Sequence, residues 1–181
     1  MQKVPVVILN GFLGSGKTTL FRSLLSQSKR KKMSVCAIVN DMSELDIDGE
    51  LIANTGAVEE DEGILESISS YVLSSKAGIE KLDQSIIKLL NNNNPDIIII
   101  ETSGSCHPMP LVKYFKNHKR IKLTGVFVLV DSVMMSNDFD FGKKLIPNMQ
   151  QNIIDGFRDP VNLLVEQILF CSHLILTKGD R

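Results

Sequence analysis

Apolar residues fall along the chain in two alternating patterns, short unbroken runs and longer stretches in which they recur every three or four positions. Short unbroken runs suit strands buried on both faces, whereas recurrence near 3.6 suits a helix with one packed face. The runs around Val6–Leu9, Ser34–Val39, Ile97–Ile100, Leu123–Val130 and His173–Leu176 therefore predict strands. Helical spacing follows the first run through Leu20, Phe21, Leu24 and Leu25, and returns over Ile79–Leu90. It also predicts a helix with Ile64, Leu65, Ile68, Tyr71 and Val72 on one face, and another over Leu145–Phe157. Asp159-Pro160 reads as the start of a helix that carries Val161, Leu164, Val165, Ile168 and Leu169 inward. Asn91–Asn94 and Pro95 end the Ile79–Leu90 helix, since Asn accepts turn conformations and the residue before proline avoids the helical region. Strands alternating with helices predict an α/β fold, a mostly parallel sheet with helices on both faces and a ligand at the carboxyl ends of its strands.

The junction between the first strand and first helix carries the sharpest chemistry. Gly11-Phe12-Leu13-Gly14-Ser15-Gly16-Lys17-Thr18 fits the Walker A spacing completely, and Thr19 follows it into the helix. Gly11, Gly14 and Gly16 let the main chain curl so that N–H groups and the helix start face an anion. Lys17 supplies a mobile cation for β- and γ-phosphates, and the Thr18 hydroxyl is placed to ligate Mg²⁺. These residues predict a bound nucleoside phosphate.

Two later strand ends complete the pattern. Four isoleucines lead into Glu101, then Thr102-Ser103-Gly104. That is the place for a carboxylate that holds Mg²⁺ through water, and for a glycine N–H that meets the γ-phosphate. Thr177-Lys178-Gly179-Asp180 ends the last strand. Asp180 there can accept two hydrogen bonds from the guanine edge, and adenine offers no such pair, so the motif predicts GTP or GDP over ATP. The Lys178 stem can cover the purine face. Between the second strand and the helix predicted at Ile64 lies an acidic, poorly periodic stretch with Asp41, Glu44 and Asp48. Pattern alone favours a solvated loop there, although its place after the second strand suits a nucleotide-sensing switch.

Composition narrows the classes. At 181 residues with 43% hydrophobic content, the chain is one domain with room for a core. A net charge of −1 and a short basic run at Lys29–Lys32 point away from nucleic acid and from a membrane surface. Three cysteines without CxxC spacing indicate no disulfide framework, and the expected setting is reducing and cytoplasmic.

In these segments the chain resembles the CobW-type GTPases, a P-loop group related to the urease- and hydrogenase-maturation GTPases. GFLGSGKTTL is similar to the family P-loop, NDMSELDIDGELI to its first switch, IIIIETSG to its second, and EQILFCSHLILTKGD to the segment ending in its guanine motif. The resemblance implies a metallochaperone-type GTPase that couples hydrolysis to metal delivery, with a metalloprotein client or a homodimer as partner. It makes Asp41 and Glu44 candidates for Mg²⁺ alongside Thr18 and Glu101. It also makes Asp48 a water-positioning candidate beside the catalytic pair Lys17 and Glu101.

Three departures stand out. Where the family commonly has a Cys-x-Cys-Cys thiolate site, this chain has Ala57-Val58-Glu59-Glu60, hard ligands that are less selective for zinc or cobalt. A replacement drawn from Glu59, Glu60, Cys106 and His107 competes with an ordinary acidic helix start and an incidental Cys-His pair. The stretch Ser132–Asp159 exceeds the family's usual connection, and the chain stops at Arg181, short of the family's further helix, strand and C-terminal domain. Three functional readings follow: a slow Mg²⁺-dependent GTPase switch, a nucleotide-dependent interaction module without turnover, and a small-molecule kinase.

Overall fold

The computed structural model describes residues 3–40, 64–157 and 160–180. In chain order its elements are β1 (Val4–Gly11), α1 (Lys17–Arg30), β2 (Val35–Asn40), β3 (Leu65–Ile68), α2 (Lys76–Asn92) and β4 (Ile97–Glu101). Then come α3 (Pro108–Asn117), β5 (Ile121–Asp131), α4 (Ser132–Asn137), α5 (Leu145–Ile154), α6 (Pro160–Leu169) and β6 (His173–Thr177). The described strands form one sheet in the order β3-β2-β4-β1-β5-β6, with every pairing parallel.

Side chains alternate across this sheet as a two-residue period demands. Val6, Ile8, Cys36, Ile38, Ile98 and Ile100 face one core, with Leu82, Ile86 and Leu89 of α2, Phe115 of α3 and Leu164 of α6. Leu9, Ala37, Val39 and Ile99 face the other, where Phe21 and Leu25 of α1 close over them. Each fully buried Leu, Ile or Phe contributes roughly 1.5–3 kcal/mol, so the central strands β1, β2 and β4 form the rigid floor of the molecule. Register then places function: Glu101 at the end of β4 lies opposite Leu9 on one side and Val39 on the other. The β4 carboxylate is thereby held beside the loop that leaves β1.

The structure corrects several expectations. Residues 65–68 form β3, an edge strand paired with β2, and not the first turns of a helix. Leu65 packs into one core and Ile68 into the other, which a strand permits for residues three apart and a helix does not. Ser70, with φ 66°, then breaks the apparent 3.6 period between Ile68 and Tyr71. Leu169, expected inward, is 68% exposed. The helix expected to run to Phe157 ends at Ile154.

Two helices went unanticipated. α3 starts on Pro108 and buries Leu111 and Phe115, an i, i+4 pair. α4 is capped by Asp131, whose Oδ1 accepts from the N–H groups of Val133 at 2.9 Å and Met134 at 3.3 Å. Among the described residues no helix is long and apolar enough to cross a membrane.

Candidate functional site

The loop between β1 and α1 is built by close approach. A Cβ on Gly11 (φ 137°) would lie 2.3 Å from the Leu129 carbonyl oxygen of β5, so only glycine lets β1 turn there. Gly16 caps α1 in the left-handed region with φ 92°, and no side chain caps the helix start. The first turn of α1 carries no acid, leaving its N–H groups and dipole available to an anion. Ser15 Oγ is buried with no hydrogen-bond partner among the described residues. The loop thus presents amides, and a hydroxyl that still has bonding capacity.

Lys17 is 7% exposed, and its Nζ donates to the carbonyls of Gly11 and Phe12, at 2.9 Å each. The ammonium is folded back over the loop's own main chain. Thr18 Oγ1 donates to Glu101 Oε1 at 2.6 Å. A hydroxyl and a 4%-exposed carboxylate thus meet at the head of the glycine loop. Both are hard oxygen donors, the kind Mg²⁺ selects. The cradle, the buried Ser15 hydroxyl and this oxygen pair fit a Mg²⁺-nucleotide.

Gly104 closes the same corner from β4. A Cβ there would lie 2.7 Å from the Leu13 N, so the segment after β4 rests directly on the glycine loop. A cleft of about 1250 Å³ opens here, lined by residues of the glycine loop, Thr18, Glu101, Gly104, His107 and the start of α6.

Thr177, Lys178 and Asp180 lie outside the lining of this cleft, yet Thr177 is tied to the loop. Its Oγ1 donates to the Ser15 carbonyl at 2.9 Å, joining the end of β6 to the loop after β1. Lys178 adopts φ 57° and pairs its Nζ with Asp131. That ammonium, with the Val133 and Met134 amides, holds the Asp131 carboxyl below its usual range.

The structure therefore brings together Gly11, Gly14, Ser15, Gly16, Lys17, Thr18, Thr19, Glu101 and Gly104, with Thr177 attached from the side. Asp41, Glu44, Asp48, Glu59 and Glu60 lie outside the described residues. Cys106 and His107 part company. Cys106 is buried in the core with its thiol pushed up to about 11 by burial. His107 Nδ1, in contrast, meets Glu166 Oε2 at 2.7 Å at the cleft wall. Among the described residues no three His, Cys, Asp or Glu side chains gather closely enough to hold a metal ion.

A model of the CobW/HypB/UreG nucleotide-binding domain matches residues 5–181. The chain belongs to that family. The CobW/HypB/UreG match covers the glycine loop, the Glu101 strand and the Thr177–Asp180 end together. Among curated relatives, the chain is 33% identical to the zinc-regulated GTPase metalloprotein activator 1 of Dictyostelium discoideum, covering 99% of this chain and 40% of that protein. It is 36% identical to the zinc chaperone CobW of Pseudomonas aeruginosa, covering 100% of this chain and 50% of that one. The chain spans about half the length of the curated relatives it matches. A solved structure of a zinc-bound triple mutant of the YjiA GTPase superposes with a TM-score of 0.60 at 24% identity. It covers 99% of this chain and 51% of that one, a likeness of fold.

Sequence reasoning missed three buried amides that hold the segment after β4 in place. Asn10 Nδ2 donates to the Cys106 carbonyl at 3.2 Å, while its Oδ1 accepts from Gly11 N at 2.6 Å. Asn40 Oδ1 accepts from Ser103 N at 3.3 Å, and Asn40 Nδ2 donates to the Ile68 and Tyr71 carbonyls at 2.9 and 2.8 Å. The third is Gln167 of α6, whose Nε2 reaches the Gly104 and Cys106 carbonyls. A polar amide closing an otherwise apolar strand was the available signal for Asn10 and Asn40.

Proposed function

We propose that this chain binds GTP and GDP with Mg²⁺, hydrolyses GTP slowly, and uses that cycle as a switch in delivering a transition metal to a client protein. The observation that carries the reading is the 2.6 Å meeting of Thr18 Oγ1 and Glu101 Oε1 at the head of a glycine cradle with Lys17 folded over it. In this reading the N–H groups of Gly14, Ser15 and Gly16 and the first amides of α1 hold the phosphates. Lys17 neutralises the β- and γ-phosphates, and Gly104 N–H meets the γ-phosphate. Thr18 and Glu101 hold Mg²⁺, which when bound neutralises charge developing on the phosphate oxygens. Asp41 and Glu44 add to that metal shell, and Asp48 orients the attacking water. Asp180 selects guanine, Lys178 covers the base, and Thr177 keeps both attached to the phosphate loop. The relatives' names, zinc chaperone and zinc-regulated GTPase, support zinc as the cargo and a metalloprotein as the client.

The test is calorimetric titration with GTP and ATP in the presence of Mg²⁺, followed by phosphate release under single turnover. We expect GTP to bind at least about 100-fold more tightly than ATP, because Asp180 would be left unpaired against adenine. Phosphate should appear only with Mg²⁺ present. Equal affinity for the two nucleotides, or hydrolysis no faster than in buffer, would overturn the guanine reading or the enzyme reading respectively.

A further inference from the structure

Two neighbouring residues of α6 grip the segment that follows β4. Gln167 is fully buried, and its Nε2 donates to the carbonyls of Gly104 and Cys106 at 3.2 Å each. Glu166 takes His107 Nδ1 at 2.7 Å. The same segment is held from the sheet by Asn10, which shares the Cys106 carbonyl with Gln167. Its glycine lies against the main chain of Leu13. Gly104 is thus pinned between the phosphate loop on one side and a helix on the other, and Gln167 is the buried link to that helix.

We propose that Gln167 is a positioning residue that sets Gly104 for the γ-phosphate and carries the loop's displacement into α6. The inference rests on the reading of the cleft as a GTP site. The physical argument is one of connectivity. A γ-phosphate that draws in the Gly104 amide must shift the Gly104 and Cys106 carbonyls, and two of the donors on them belong to one side chain. Asn10 is anchored on a central strand, so the compliant partner is α6. The α6 residues Asn162, Leu163 and Glu166 already line the cleft, so a shift of α6 changes the cleft wall and not a remote surface. A purely structural amide would support both nucleotides equally. A positioning amide supports the triphosphate selectively, because the diphosphate has no group at the Gly104 amide.

Gln167→Met keeps the volume and removes the two donated bonds. Gln167 Oε1 has no partner among the described residues, so the substitution removes an unmet buried acceptor while it takes the Gln167 donor from the Gly104 carbonyl, a folding cost that weighs on both nucleotide states alike. We expect GTP affinity to fall about tenfold while GDP affinity stays within about twofold, the loss of one or two neutral hydrogen bonds read only by the triphosphate. A second measurement needs no variant: backbone amide exchange of the unaltered chain with GDP and with a non-hydrolysable GTP analogue. Protection should change together in residues 104–107 and in α6. Equal weakening of GTP and GDP in Gln167→Met overturns the proposal, as does a protection change confined to 104–107. Failure of the unaltered chain to bind GTP at all would overturn the GTP-site reading and this inference with it. GTP binding with an unchanged GTP to GDP ratio in the variant would overturn this inference alone.

Discussion

The two flanks of β1 bring their motifs to the glycine loop by different means. On the β4 side, Glu101 arrives at the tip of a strand buried between β1 and β2, opposite Leu9 and Val39, and is itself 4% exposed. On the other side, the Thr177–Asp180 end comes from β6, an edge strand among the described residues, whose Leu174 and Leu176 are exposed. It reaches the loop through the Thr177 hydroxyl on the Ser15 carbonyl, while Lys178 is held by Asp131. The flank proposed for the phosphates is therefore positioned by core packing on both sides, and the flank proposed for the base by pairing with β5 on one side and a few polar contacts. Packing is stiff and resists local change, whereas an isolated hydrogen bond contributes about 1 kcal/mol. On the proposed function, chemistry at the phosphates would draw on the stiffer support and recognition of the base on the more adjustable one.

Five substitutions would break or sharpen this contrast. The largest effect is expected from Glu101→Gln, which keeps shape but removes the charge beside Thr18 that the proposed function assigns to Mg²⁺. Single-turnover phosphate release should fall by about 100-fold or more, the scale of losing one preorganised electrostatic contact. Gly11→Ala should come next. Its Cβ would meet the Leu129 carbonyl at 2.3 Å, and overpacking of this kind destabilises by about 1–3 kcal/mol. Thermal melting should show a drop of several degrees. Gly14→Ala has φ 74° to contend with but no atom within 4 Å, and should melt closer to the parent.

Thr177→Val should weaken GTP binding about fivefold with little effect on phosphate-release rate once GTP is saturating, as one hydrogen bond lost from the base flank implies. An equal loss in the catalytic step would mean that the two flanks are not separable.

The smallest effect concerns pH. The Lys178 ammonium holds Asp131 below its usual range, so the folded form binds that proton less readily than the unfolded form. The resulting stability is fully present above the ordinary aspartate value of about 3.9 and is lost as pH falls through the lower folded value. Melting curves of the parent and Asp131→Asn should therefore differ at pH 5–7, begin to converge only below about pH 4, and meet below the lower folded value. A difference that grows with acid would reverse the assignment.

Most of what positions the phosphate flank could be read from sequence, because there two signals coincide. The run before Gly11 and the spacing after Lys17 announce a strand and a helix, and the glycines between them have one structural use. Glu101 was legible for the same reason, at the end of four isoleucines that need burial on both faces. β3 was not legible. Ile64, Leu65, Ile68, Tyr71 and Val72 carry helical spacing, and only the pairing with β2, invisible in a local window, turns Leu65 and Ile68 to opposite faces. Gln167 was equally hidden, since a polar residue on an apolar helix reads as a solvent-facing position. It became meaningful when the Gly104 and Cys106 carbonyls were found against it. The switch candidates Asp41, Glu44 and Asp48 lie outside the described residues, and their proposed role rests on their place after the second strand and on the resemblance.

The central claim, that the loop from Gly11 to Thr18 clasps the phosphates of a guanine nucleotide with Lys17 as its cation, is tested most directly by calorimetry with GDP and Mg²⁺ on the parent chain and on Lys17→Ala. The account predicts saturable binding to the parent and affinity at least about 100-fold lower in the variant, the scale of a lost charge-assisted contact to phosphate. Indistinguishable isotherms from two chains that melt alike would contradict it.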